Sequence, residues 1–187
     1  MSQRATRILS LAAAFAAASL LWVAAPVAAA EDMDKLYAEL ADPDNAEWQR
    51  AQADILREWS KSGSAAMDLL LKRGQQAMEA GDLTAAIEHL TALTDHAPDF
   101  AEGWNARATA YYLSGQFGPS LADIRRTLAL NPYHFGALTG LGTILSESGE
   151  PEEAMEAYRA ALALNPHQDN VRQALERLEQ DAKGVEI

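Results

Sequence analysis

The pentapeptide LALNP stands at residues 128–132 and returns at 162–166, 34 residues later. A chain that repeats itself at such an interval folds as a stack of like units, each burying its apolar face against the next. Rows of 34 residues laid out from Met67 begin at Met67, Ala101 and Phe135. They bring Pro98, Pro132 and Pro166 into one column and Gly81, Gly115 and Gly149 into another. Small residues align at Gly74, Ala108 and Gly142, and again at Ala86, Ser120 and Ala154. Large ones align at Leu90, Ile124 and Tyr158.

Each column has a physical cause. In the first row Leu70, Leu71, Ala77 and Met78 recur at helical spacing, so a helix is expected over 67–80. Gly81 follows where the helix must end in a positive φ, which glycine adopts without a Cβ clash. A second helix over 84–96 carries Ala86, Leu90 and Leu93 on one face. Pro98 closes the row because it disfavours helix at the residue before it. The small residues are expected to face one another, Gly74 against Ala86 and so on down the rows, which lets the paired helices cross closely.

These rows resemble tetratricopeptide repeats. Row two has Trp104, Ala108, Tyr111, Gly115 and Pro132 at the family's signature places. Row three has Leu138, Leu141, Gly142, Ala154, Tyr158, Ala161 and Pro166. Arg73 and Arg107 depart from it, standing where the family usually has an apolar residue, and Ser120 and Thr127 replace alanines. The layout resembles the small secreted tetratricopeptide proteins of alphaproteobacteria, a group without an assigned activity. The resemblance implies an all-α, right-handed α-solenoid of three helix hairpins, at 67–100, 101–134 and 135–168.

Such a stack needs covers at both ends. Val171, Ala174, Leu175 and Leu178 form one apolar stripe, so 169–187 reads as a C-terminal capping helix and tail. Residues 31–66 read as a degenerate N-terminal hairpin. Its first helix carries Met33, Leu36, Tyr37 and Leu40, and its second carries Trp48, Ala51, Ile55, Leu56 and Trp59. The two tryptophans require burial, and the hairpin is expected to stack on row one.

Residues 1–30 have another character. Arg4 and Arg7 precede an apolar, alanine-rich run that ends with Ala28 and Ala30 before Glu31. A basic start, an apolar middle and small residues at the cut form a secretory signal. The expectation is cleavage after Ala30 and a periplasmic or secreted protein, the alternative being a leader retained as an anchor. The full chain carries a net charge of −12, and loss of two leader arginines makes it −14. That charge repels phosphate backbones and anionic lipid surfaces, so nucleic acid and membrane are not expected partners of the cleaved protein. A neutral or basic protein fits better.

No catalytic constellation stands out, so an enzyme is not expected. There is no cysteine and no HExxH pair. The acidic run at Glu147, Glu150, Glu152 and Glu153 lacks the spacing of a calcium loop. His134 and His167 beside the row-ending prolines read as surface turn residues. Neither a metal nor a cofactor is implied. Arg107, in an apolar column, must be paired or reach solvent. Asp123 is the expected partner, and the alternative is an arginine open to a ligand carboxylate. Arg73 shares that column but has no matching acid.

Three stacked hairpins make a concave face lined by the first helix of each row. By helical period the open side is expected to carry Leu71, Gln75 and Met78 in row one, Asn105, Thr109 and Tyr112 in row two, and Thr139 and Thr143 in row three. This pattern gives a polar, neutral groove for an extended peptide or a helix of another protein. The expected function is an exported protein-binding adaptor or assembly factor. The alternative is a structural protein that associates with itself.

Overall fold

The computed structural model describes residues 24–185, all of whose regular elements are helices. The expected leader falls mostly outside the described residues. Helix α1 begins at Ala24 and runs past Ala30 to Ala41, and α2 follows at Trp48–Trp59. The rows are α3 (Ala65–Glu79) with α4 (Leu83–His96), α5 (Ala101–Leu113) with α6 (Phe117–Leu130), and α7 (Phe135–Glu147) with α8 (Pro151–Leu164). Helix α9 (Asp169–Val185) ends the stack. Among the described residues no helix is long and apolar enough to cross a membrane.

Within each row the hairpin turns at a glycine with positive φ: +77° at Gly81, +74° at Gly115 and +81° at Gly149. In row one the next residue, Asp82, donates its backbone N–H to the Ala77 carbonyl at 2.9 Å, satisfying a helix-end acceptor. The small column works as expected, with a different neighbour. A Cβ on Gly74 would come within 2.5 Å of the Leu90 side chain, and one on Gly142 within 2.6 Å of the Tyr158 ring. The space is therefore filled mainly by the large column. In row two, where that column holds the smaller Ile124, Ala108 is tolerated and Ser120 Oγ donates to the Ala108 carbonyl at 2.7 Å.

Arg107 and Asp123 form the expected pair. Nε donates to Oδ2 at 2.7 Å and Nη2 to Oδ1 at 2.9 Å, a bidentate arrangement with both side chains largely buried. Nη1 donates to Thr94 Oγ1 at 2.8 Å, tying row two to α4 of row one. These Asp123 hydrogen bonds push the Arg107 guanidinium's pKa above its ordinary value. Arg73 has a different environment. Its position packs against the preceding row, and among the described residues no row precedes row one, so Arg73 is exposed together with Lys72 and Gln76.

Row one lacks a predecessor because the N-terminal hairpin does not stack there, contrary to the expectation. It folds back onto the turns that end rows two and three. Leu40, Ala51 and Ile55 are buried in one cluster with Phe135, with Leu164 packed against it. Trp59 stacks on His134 at 4.4 Å between centroids, Trp48 on His167 at 4.5 Å, and Tyr37 on Tyr133 at 4.6 Å. Asn165, fully buried, donates to Gln52 Oε1 at 2.8 Å. The linker between α2 and α3 is held by Asp68, whose Oδ1 accepts from Ser62 Oγ at 2.6 Å and Ser62 N at 2.8 Å. Those bonds hold the Asp68 carboxyl below the usual carboxylate range. At the far end Val171 is buried with Tyr158 and Ala161, and Leu175 and Leu178 pack against them, so α9 is the expected cap.

Two outcomes follow from this packing. Asp123→Ala should destabilise the fold by about 3 kcal/mol, because it leaves a mostly buried guanidinium without its carboxylate. A loss of less than about 0.5 kcal/mol in chemical denaturation would mean the pair contributes nothing of that kind. Replacing Trp48 and Trp59 together with alanine should undock the hairpin. Trypsin would then cut at Arg50 and Arg57 well before Arg125 and Arg126, whereas uniform protection would contradict the docking described.

Candidate functional site: a groove between the first helices of rows two and three

The first helices of rows two and three stand side by side and leave a cavity of about 220 Å³ between them. Helix α5 supplies Asn105, Thr109 and Tyr112 to its wall, and α7 supplies Gly136, Thr139, Gly140 and Thr143. Ala108, Ser120, Ile124, Ala137 and Ile144 form the floor, all of them buried. The small residues of α7 are what make room. At Gly136 and Gly140 nothing beyond a hydrogen projects into the space, and a Cβ would meet only ordinary contacts, with the His134 ring at 3.5 Å and Ile124 at 3.6 Å. No residue of α1 or α2 is in the lining.

The wall is less polar than its composition. Thr109 Oγ1 donates to the Asn105 carbonyl at 3.1 Å and Thr143 Oγ1 to the Thr139 carbonyl at 3.0 Å. Thr139 Oγ1 in turn donates to Gln168 Oε1 at 3.0 Å. The hydroxyl protons are therefore committed within the protein. The Asn105 amide makes only long contacts with Glu102, at 3.4 and 3.5 Å, which leaves it the readiest hydrogen-bonding group on the wall.

Each end of the groove carries a carboxylate. Glu147 Oε1 accepts from the Tyr112 hydroxyl at 2.7 Å, and this bond raises the pKa of the phenol. At the other end Glu102 Oε2 lies 3.0 Å from His134 Nε2. His134 Nδ1 accepts from the Ala137 N–H at 3.0 Å and so caps α7. With Nδ1 accepting, the ring proton sits on Nε2 and is donated to Glu102. His134 is only 2% exposed, which corrects its reading as a surface turn residue. Its burial comes from the Trp59 stack above it.

The expected open face thus divides. Asn105, Thr109, Tyr112, Thr139 and Thr143 line the cavity. Leu71 does not: it is 3% exposed and shares a buried cluster with Ala106 and Ala110, because α5 lies against that side of α3. Met78 packs on the same cluster and Gln75 is half-buried beside it. Arg107 and Asp123 are spent on each other, so neither is open to a ligand. Ala137 escaped the sequence reading of this face, although a small residue about one turn from Gly140 on a groove-lining helix is a legible sign of space. Among the described residues no group of three or more His, Cys, Asp or Glu side chains could hold a metal ion.

Comparison with known proteins adds a family to this geometry. The tetratricopeptide repeat models match residues 71–118 and 135–168. A TPR repeat-containing protein of Rhizobium etli is 36% identical over 137 residues, which cover 72% of this chain and 66% of that protein. The chain therefore spans about two thirds of the length of that relative. Among solved structures, the first TPR of Spaghetti (RPAP3) bound to the HSP90 peptide SRMEEVD superposes with a TM-score of 0.62 at 24% identity, over 64% of this chain and 95% of that one. The Yersinia enterocolitica type III secretion chaperone SycD, in complex with a peptide of the translocator YopD, gives 0.61 at 14% identity, over 64% and 96%. The period of 34, the glycine turns, the paired helices and these matches agree: the chain belongs to the tetratricopeptide repeat family.

Proposed function

We propose that this protein is an exported adaptor or assembly factor that holds a segment of another envelope protein in the groove between α5 and α7. The observation that carries this reading is the uncharged cavity of about 220 Å³, open between two rigid helices. A pre-formed apolar recess with one free amide at its wall is what a protein anchor residue needs. Solved relatives of the same fold hold peptides, which supports the class of ligand. The basic, alanine-rich leader supports export.

Self-association, with the groove or the N-terminal hairpin packed on a second copy, is the weaker reading, and the open end of the stack adds little to it. The end of the stack offers Lys72, Arg73 and Gln76, with Leu69 the one large apolar side chain exposed among them. A face of that composition has little apolar area to bury against a second copy.

The test uses a photo-crosslinking amino acid placed at Thr109 or Thr143 in the exporting cell. Both positions should give a discrete adduct, whereas Glu88 and Arg159 on the second helices should give none. Asn105→Ala with Tyr112→Phe, which keeps the ring against Phe117, should lower adduct yield at least tenfold while the melting midpoint stays near that of the parent. Mass analysis of the same exported protein should find Glu31 at the N-terminus. Adducts from Glu88 and Arg159 with none from the groove would overturn the proposal.

A further inference from the structure

Three features of the groove restrict what it can hold. Its lining carries no charged side chain, while a carboxylate touches the lining at each end, Glu102 beside Asn105 and Glu147 on Tyr112. Both carboxylates accept from neutral donors, the His134 ring and the Tyr112 hydroxyl, so neither is spent on an ion pair with an arginine or lysine. The cavity of 220 Å³ lies below the roughly 300–1,000 Å³ of small-molecule sites, a size for one large side chain rather than a whole cofactor.

The ends also have a spacing. Along α5, residues 102 and 112 are about 15 Å apart at 1.5 Å per residue. An extended segment covers that distance in about 4–5 residues.

Resting on the groove reading above, we infer that the partner segment is extended and carries one large apolar side chain between two cationic side chains about five residues apart. The apolar side chain fills the space over Ala108, Ile124, Ala137 and Ile144. One cation meets Glu102 and the other Glu147. Glu102 is 16% exposed, so its attraction is less screened by solvent than that of exposed Glu147. The net charge of −12 acts in the same direction at longer range, drawing cationic segments in and turning acidic ones away.

Fluorescence anisotropy with two labelled peptides tests this. One has a single leucine midway between two lysines about five residues apart, and the other has glutamates in place of the lysines. The lysine peptide should bind at least tenfold tighter at low ionic strength, and added salt should reduce that preference. In the Glu102→Gln, Glu147→Gln double variant the preference should fall toward one. Glu147→Gln alone, a change at an exposed residue, should lower it severalfold if the double variant proves unstable. Equal binding of the two peptides, a preference that survives the double variant, or no binding of either would overturn the inference. If crosslinks from Thr109 and Thr143 form in the cell while the peptides fail, the charge reading falls and the groove reading stands. If those crosslinks are also absent, the groove itself is not the site.

Discussion

Each row of this solenoid closes where a residue with almost no side chain meets a large one. Gly74 lies under Leu90 and Gly142 under Tyr158, at distances that leave no room for a Cβ. The close crossing sets the angle of the hairpin, the hairpin sets how its first helix is presented, and successive first helices define the groove. Had Gly142 carried a side chain, Tyr158 would have to move, and with it the hydroxyl that donates to Thr143 at 3.3 Å on the groove wall. Packing in the row and shape at the site are linked through that tyrosine.

A second constraint is how the stack ends. A hairpin array exposes an apolar face at each end, and this chain treats its two ends differently. The C-terminal end is covered by α9 through Val171, Leu175 and Leu178. The first row is left open and made polar, with Lys72, Arg73 and Gln76 in solvent. The N-terminal hairpin, free of the capping role, buries its aromatic residues along the edge of rows two and three. Arg73 and Arg107 show the consequence within one column. The same residue type is solvated where no row precedes it and forms a bidentate ion pair where one does.

The parts legible in the sequence are those fixed by local conformation and period. Gly81, Gly115 and Gly149 announce the turns because the backbone demands a positive φ there, and the proline column marks the row ends. Arg107 and Asp123 could be paired because a charge in an apolar column needs a partner. The docking of α1 and α2 was not legible in this way, since it depends on contacts more than 70 residues apart, such as Trp59 with His134. A signal did exist in row one: the polar run at Lys72, Arg73 and Gln76 leaves Leu69 as the one large apolar side chain there for a hairpin to cover. Leu71 was misplaced for a related reason. Helical period separates two faces of α3, but α5 covers part of the face that period alone leaves open.

The candidate site therefore lies in rows two and three, between a hairpin docked at one edge and a capped end. On the function proposed above, binding belongs to the groove and the aromatic hairpin is structural. Amide chemical-shift mapping of isotope-labelled protein, free and with the purified partner, separates these most directly. The shifts should concentrate on Asn105, Thr109, Tyr112, Thr139 and Thr143, with α2 unchanged. Shifts concentrated around Trp48 and Trp59 with a silent groove would contradict it.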